Sequence, residues 1–326
     1  MENYWENKNV FITGATGFVG SWIAKTLVEK KANITIIERD KKGKNNIDIL
    51  DIRKKVNVVK GDILDLKLIE KIIKEQKIDT VFHLAAQTIV GVADKSPLPT
   101  FETNIMGTLN ILEASKKYPT VKRVVVASSH AVYGRQKNPE YSENLPLQGL
   151  TAYHASKVCV DILARSYHES FNLPVAITRT GNAYGGADMN LSRIIPDAIC
   201  STLKGKQLEI LSDGTPERDY IYIKDVVEGH LTIAENLDRD EIKGQAFNLG
   251  TQKPISVIDL FNTIVKIIGK DIQPKVLGKA KLEIDKMYLS MEKAKKLLNW
   301  SPEYSLEKGL KETIEWYREN LNNFSN

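Results

Sequence analysis

The segment Val10-Phe11-Ile12-Thr13-Gly14-Ala15-Thr16-Gly17-Phe18-Val19-Gly20 decides how the rest of the chain is read. Four residues of strand character run into three glycines at G-x-x-G-x-x-G spacing, and a helical pattern follows. Glycine permits positive φ in a tight turn and lets the backbone approach a pyrophosphate. The helix N-terminus beyond it offers unpaired amides and a favourable dipole. Taken alone, such a turn can merely reverse a chain, so its meaning rests on what surrounds it.

Working outward, Ile34–Ile37, Val56–Val59, Thr80–His83, Arg123–Ala127 and Val175–Thr178 also read as short β-branched strands, and helical stretches lie between most of them. Near-continuous apolar strands alternating with helices predict an α/β fold, a doubly wound parallel sheet covered on both faces. Right-handed crossovers then bring the strand C-termini to one edge, where the chemistry is expected. After residue 180 the pattern loosens. Gly185-Gly186, Gly214, Pro216 and Pro254 punctuate shorter elements, and two helices around Pro302 are expected between Ser290 and Asn322. The expected division is a dinucleotide-binding domain over 1–180 and a smaller α+β substrate-binding lobe over 181–326. A segment at about 220–250 is expected to return to the first domain, with a cleft between the two lobes.

Composition excludes several classes. Apolar residues make up 42% and charged residues 27% of 326, as in ordinary globular chains. The formal charge of +5 comes from lysines that sit beside acids, as in Lys71, Lys74 and Glu75. No basic patch with interleaved aromatics accompanies them, so no nucleic-acid partner is expected. Cys159 and Cys200 read as separate buried thiols in a reducing compartment. The polar start, MENYWENKN, is unlike a signal peptide, and no apolar run reaches membrane-spanning length; a cytoplasmic location and no membrane partner are expected. His83, His130, His154, His168 and His230 show no paired ligand spacing, so no metal site is expected.

Two acidic positions extend the reading of the glycine turn. Glu38, 18 residues after Gly20 and at the end of the second strand, is placed to accept hydrogen bonds from adenosine ribose hydroxyls, which favours NAD over NADP. Arg39 follows it and could instead pair with a 2′-phosphate. Asp62 either binds the adenine amino group or simply closes a turn after Gly61. Further on, Tyr153 and Lys157 are four apart and share one helix face. A lysine ammonium near a phenol favours the phenolate, which makes Tyr153 a candidate base, and Ser128-Ser129 ends the preceding strand.

These features together make the sequence resemble the extended short-chain dehydrogenase/reductase family, in particular its nucleotide-sugar epimerases and dehydratases, over nearly the whole chain. The resemblance also rests on His83-Leu84-Ala85-Ala86, Asn104 with Gly107-Thr108, Val132-Tyr133-Gly134 and Arg179-Thr180-Gly181-Asn182. In the second half it continues through Arg193-Ile194-Ile195-Pro196, Arg218-Asp219-Tyr220, Asp225-Val226 and Asn248-Leu249-Gly250. It implies a Rossmann domain holding NAD through Gly14, Thr16, Gly17, Phe18, Val19, Gly20, Glu38, Arg39, Asp62, Ile63, Leu84, Ala85, Ala86 and Asn104, together with Tyr153 and Lys157. It also implies Ser129, Tyr153 and Lys157 as the catalytic set. Asn182, Arg193 and Arg218 would hold the diphosphate of a nucleotide sugar, and the chain would form a homodimer. A local ion pair of Arg218 with Glu217 or Asp219 is the competing account of that arginine.

The shared chemistry of the family begins with Tyr153 taking the C4 hydroxyl proton, Ser129 hydrogen-bonding that oxygen, and hydride leaving C4 for NAD. Return of the hydride to the other face of the ketose gives a 4-epimerase. A 4,6-dehydratase also needs a base at C5 and an acid at C6. Where dehydratases of the family usually carry Asp and then Glu or Lys after the catalytic Ser or Thr, this chain has His130 and Ala131. Against that, Tyr184–Asn190 and Ser212–Thr215 look closest to CDP-glucose-type 4,6-dehydratases. The expectation is therefore an NAD-dependent 4-epimerase of a nucleoside-diphosphate hexose, with a UDP-sugar favoured. The alternative is a dehydratase, of CDP-glucose or UDP-N-acetylglucosamine type, that uses His130. A non-enzymatic dinucleotide sensor is a third reading, which the retention of Ser129, Tyr153 and Lys157 opposes.

Overall fold

The computed structural model describes residues 3–39, 43–279 and 284–324. Its centre is a sheet of seven parallel strands: β1 (Asn9–Thr13), β2 (Asn33–Glu38), β3 (Asn57–Lys60), β4 (Thr80–His83), β5 (Arg123–Ala127), β6 (Val175–Thr180) and β7 (Ala246–Leu249). They lie in the order β7-β6-β5-β4-β1-β2-β3. Val10 pairs with Ile34 on one side and Thr80 on the other, and Ala246 pairs with Ile177 at the far edge.

Period-two alternation sends side chains to both faces. Val10, Ile12, Ile34, Ile36 and Phe82 pack on one face against Ile23, Ala24 and Leu27 of α1 (Phe18–Glu29). Phe11, Ile37, Val81, Val124 and Val126 pack on the other against α2 (Leu66–Glu75), α3 (Gly107–Lys117) and α4 (Ala152–Phe171). Strand order reverses between β1 and β4. In a doubly wound sheet that reversal opens a crevice at the strand C-termini, here where Gly14 follows β1 and Leu84 follows β4.

The seventh strand was absent from the strands expected from sequence; it is contributed by the second half of the chain, after the helix Ile223–Glu235. Conversely, Glu140–Tyr141 leaves the first half to pair with Lys286–Leu289 in a four-stranded sheet that also contains Glu217–Arg218 and Ile255–Ser256. The helices Ile194–Leu203, Val257–Ile268 and Leu306–Asn320 complete the smaller lobe. The two lobes are thus interleaved. Among the described residues, no helix is long and apolar enough to cross a membrane.

The helix carrying Tyr153 and Lys157 is tied to the sheet by a buried ion pair. Arg179 on β6 gives Nε and Nη2 to the two carboxylate oxygens of Asp161 on α4 at 2.8 and 2.9 Å, and both side chains are fully buried. Its Nη1 donates to the Tyr133 hydroxyl at 3.0 Å, which donates in turn to Asn248 Oδ1 on β7 at 2.6 Å. Leaving a buried guanidinium without its counter-charge costs about 3–5 kcal/mol. Asp161→Asn should lower the unfolding free energy in urea by about that amount. A change below about 1 kcal/mol would show that Arg179 does not depend on this partner.

Candidate active site

The glycine turn is built by close contact. Gly14 has φ of 75°, and a Cβ there would lie 2.6 Å from the Ala85 nitrogen and 2.7 Å from the Leu84 carbonyl carbon. A Cβ on Gly20 would meet the Gly14 carbonyl oxygen at 2.4 Å. Only hydrogens fit where β1, the β4 loop and the first turn of α1 converge. The N-cap of α1 is Gly17, with no side-chain cap, and the first turn carries no acidic residue. Its amides therefore face the crevice without competition, as an anion site requires.

A directed chain of hydrogen bonds fixes the β4 loop. The Ala85 amide donates to Thr13 Oγ1 (3.2 Å), Thr13 Oγ1 contacts His83 Nδ1 (2.7 Å), and His83 Nε2 contacts Thr108 Oγ1 (2.9 Å). Thr108 uses its own proton on the Asn104 carbonyl (2.6 Å), so it accepts from His83, and His83 accepts from Thr13. Burial, with the Lys157 charge adding to it, pushes the His83 imidazole down to about 3, so it stays neutral in this arrangement. Asn104 lies in a π-turn, Glu102–Met106, that runs into α3. Its side chain holds both backbone groups of Gln87, at 2.7 and 3.1 Å, and the Ser156 hydroxyl at 2.9 Å.

These elements enclose a cleft of about 960 Å³, at the upper end of the roughly 300–1,000 Å³ usual for ligand pockets. Gly14, Thr16, Gly17, Phe18, Val19 and Gly20 line one part of it, with Arg39, Asp62 and Ile63 further along and Leu84, Ala85 and Ala86 opposite. Ser129, His130, Tyr153 and Lys157 line another part, beside Asn182 and Arg193. Three of the residues singled out from sequence are not among those lining it. Asn104 sits behind Gln87. Glu38 is buried at the end of β2, bound to Asn45 and Arg53. Arg218 gives its Nη1 to the Glu217 and Ile284 carbonyls. The competing ion pair for Arg218 is not formed either. Glu217 bonds Lys286 at 2.8 Å, and Asp219 accepts from the amides of Thr251, Gln252 and Leu289.

Within the catalytic group, Lys157 is 4% exposed and donates from Nζ to the Ala127 carbonyl at 2.7 Å, at the C-terminus of β5. Burial pulls its ammonium down to about 8. Burial pushes the Tyr153 phenol up, opposed by a hydrogen bond with Ser129 and by the Arg193 charge. Ser129 Oγ also accepts from the Ala131 amide at 3.1 Å. His130 Nδ1 lies 2.9 Å from the Thr180 carbonyl; since a carbonyl only accepts, Nδ1 carries the proton and Nε2 of the neutral ring is bare. Burial, helped by His154 and Arg218, lowers the His130 imidazole below its ordinary range. Arg193, at the N-terminus of Ile194–Leu203, bonds Asp188 at 3.0 Å and keeps 40% of its side chain exposed. Asp62 accepts from the Leu64 amide at 3.0 Å, and its second oxygen is 3.8 Å from Arg39 Nη1. Among the described residues no cluster of His, Cys, Asp and Glu could hold a metal ion.

Thr13, Thr108, Gln87 and Arg53 were not anticipated from sequence. The first three act through tertiary contacts, to backbone groups and to the His83 ring, that no motif spacing displays, and Arg53 stands in the basic run Arg53-Lys54-Lys55.

Comparison with known proteins agrees with this architecture. The trifunctional UDP-glucose 4,6-dehydratase/UDP-4-keto-6-deoxy-D-glucose 3,5-epimerase/UDP-4-keto-L-rhamnose-reductase of Arabidopsis thaliana is 33% identical over 96% of this chain, which spans about half (47%) of that protein's length. The solved UDP-glucose 4-epimerase of Thermotoga maritima, with UDP-glucose, superposes with a TM-score of 0.88 at 29% identity, covering 96% of this chain and 99% of that one. The dTDP-glucose 4,6-dehydratase of Bacillus anthracis, in complex with NAD, superposes with a TM-score of 0.85 at 27% identity, covering 97% and 98%. The sequence pattern of the GDP-mannose 4,6 dehydratase family matches residues 11–313, and the chain belongs to that family.

Proposed function

We propose that this chain is an NAD-dependent nucleotide-sugar 4-epimerase, acting on a nucleoside-diphosphate hexose through a transient 4-keto sugar. The supply of proton carriers in the cleft is the observation that carries the choice. Asp62 is the only carboxylate among the described residues lining it, and it sits beside Arg39, away from Ser129 and Tyr153 in the chain. The residue after Ser129 is an imidazole held neutral with its Nδ1 proton committed to Thr180. A neutral His130 can accept a hydrogen bond from a sugar hydroxyl. Burial disfavours the protonated ring that would serve as acid to a departing C6 hydroxyl, and a dehydratase needs that acid together with a C5 base. An epimerase needs neither.

The glycine cradle, which a single Cβ would fill, and the uncapped start of α1 fit a dinucleotide pyrophosphate. Glu38 and Asp62 are assigned to the adenosine end and Lys157 to the ribose beside the nicotinamide. When bound, NAD supplies the group that takes hydride from the sugar C4 and returns it. Tyr153 takes the C4 hydroxyl proton and gives it back, with Ser129 holding the same oxygen. Lys157 contributes positive charge, and below pH about 8 it retains its proton even while buried. Asn182 and Arg193 hold the diphosphate, joined by Arg218 once it releases its two carbonyl partners. A UDP-sugar is favoured by the likeness to the Thermotoga maritima enzyme. The dehydratase reading draws its support from the family matched and from the Bacillus anthracis relative.

Incubation with UDP-, CDP-, GDP- and dTDP-hexoses should yield a C4 epimer of unchanged mass. Tyr153→Phe should slow that turnover by about 10²–10⁴-fold while NAD stays bound. A 4-keto-6-deoxy product, lighter by one water, would overturn the epimerase reading.

Lys157 gives a second check, because its native ammonium titrates below the 10.5 of an unperturbed lysine. Between about pH 8 and 10.5 the unfolded chain binds the proton that the folded one has lost, so stability rises with pH there and the full cost is present below pH 8. Lys157→Met should therefore stabilise the nucleotide-free protein at pH 7, on the order of 1–3 kcal/mol, while removing activity. Loss of stability at pH 7 would contradict this account.

The assembly is assigned as a homodimer. Leu98, Met106 and Ile162 are 65%, 47% and 54% exposed on the neighbouring segments Pro97–Lys117 and Ala152–Phe171, and burying such a patch favours association. Analytical sedimentation should show a particle of two chains, which Met106→Glu combined with Ile162→Glu should dissociate. A monomer in the parent protein would refute it.

A further inference from the structure

The end of β2 carries an ion-pair cluster that cofactor binding by Glu38 alone leaves unexplained. Glu38 is 4% exposed. Its Oε1 accepts from Arg53 Nη2 at 2.7 Å and Asn45 Nδ2 at 2.6 Å, and its Oε2 accepts from Arg53 Nη1 at 3.2 Å. The same guanidinium bonds Asp48 through Nε and through Nη2. Asp48 in turn accepts from the Asn45 amide at 3.1 Å, closing a ring of four side chains from β2, the helix Asn46–Ile49 with its cap, and the turn Arg53–Lys55. A planar fork with donors on two edges can serve two carboxylates at once, which lysine cannot do. The ring is moored to both lobes. The Asn46 amide donates to the Thr16 carbonyl of the glycine turn at 3.4 Å, and its side chain donates to the Ala187 carbonyl at 2.6 Å.

We propose that Arg53 is a positioning residue that sets dinucleotide selectivity: it fixes the Glu38 carboxylate as acceptor for the adenosine ribose hydroxyls and is, by the same contact, withheld from a ribose 2′-phosphate. The proposal rests on the NAD reading above. Pairing stabilises a buried carboxylate, and Arg53 forks onto both oxygens of Glu38. Arg53 therefore holds the Glu38 carboxylate in place through Nη1 and Nη2. Selectivity then depends on occupancy. Arg39 lines this end of the cleft and reaches towards Asp62 at 3.8 Å, and Arg53 stands behind it on Glu38, the residue that precedes Arg39. A phosphate there would bring about −1.5 to −2 charges against the Glu38 carboxylate. Neutralising Glu38 removes that repulsion and weakens its hold on the outer edge of Arg53, while Asp48 still holds the inner one. Acceptance of NADP then needs no new cation.

Calorimetric titration of the full chain with NAD and with NADP tests this in Arg53→Met, Glu38→Gln and the double variant, with thermal midpoints recorded. The parent should prefer NAD by at least about 100-fold, and Arg53→Met should weaken NAD about tenfold without a gain for NADP. Glu38→Gln should bring NADP within about tenfold of NAD, and the double variant should lose that gain. Where Arg53→Met does not fold, Arg53→Lys, which keeps the charge and loses the fork, should show the same direction. An NADP gain that survives removal of Arg53, or NAD affinity untouched by either Arg53 variant, overturns the proposal. A parent chain that binds neither dinucleotide overturns the cofactor reading itself, a different failure.

Discussion

The site depends on how closely three stretches of backbone meet at Gly14. The turn after β1 passes within van der Waals distance of Leu84 and Ala85, and the first turn of α1 passes against the Gly14 carbonyl at Gly20. No side chain can stand between them, so the C-termini of β1 and β4 open directly onto the uncapped amides of α1. The contact would be loose if the β4 loop were free. Its position is fixed by the one-way run of hydrogen bonds from Ala85 through Thr13, His83 and Thr108 to Asn104. A histidine suits the middle of that run because its neutral ring donates from one nitrogen and accepts at the other.

The electrostatics of the cleft follow from burial more than from ion pairing. Lys157 and the imidazoles of His130 and His154 are all shifted towards their neutral forms, and the Tyr153 phenol is pushed the same way. The unliganded site thus resists charge, and binding of ions must supply the counter-charges that its own side chains lack. Arg193 and Arg218 add positive charge that reaches Tyr153 and His130, and they are tied to Asp188 and to two backbone carbonyls respectively.

Much of this was legible in the sequence, and the parts that were not share a physical cause. β1, β2, β4, β5 and β6 announce themselves by β-branched runs, and the glycine spacing marks the turn because only glycine survives the contact at Gly14 and Gly20. Ala246–Leu249 lies in the stretch expected to return to the first domain, but it does not read as a strand because it is four residues long, carries Asn248 and follows the point where the alternation has broken down. Glu140–Tyr141 crossing into the smaller lobe is a tertiary pairing with no local signal. The same holds for polar partners. Glu38 could be placed from its spacing. Its clamp by Arg53, across 15 residues, could not, because a guanidinium in a basic run looks the same whether it is solvated or buried in an ion pair. Asn104 read as a ligand contact, and in the structure its amide is consumed by Gln87 and Ser156.

The central claim is that proton traffic in this cleft is confined to the C4 oxygen. Turnover of the accepted nucleotide sugar in deuterium oxide tests it most directly. An epimerase returns the substrate's own hydrogen to C4, so the product should carry no carbon-bound deuterium. Deuterium at C5, as removal and replacement of the C5 proton would leave it, would contradict the account.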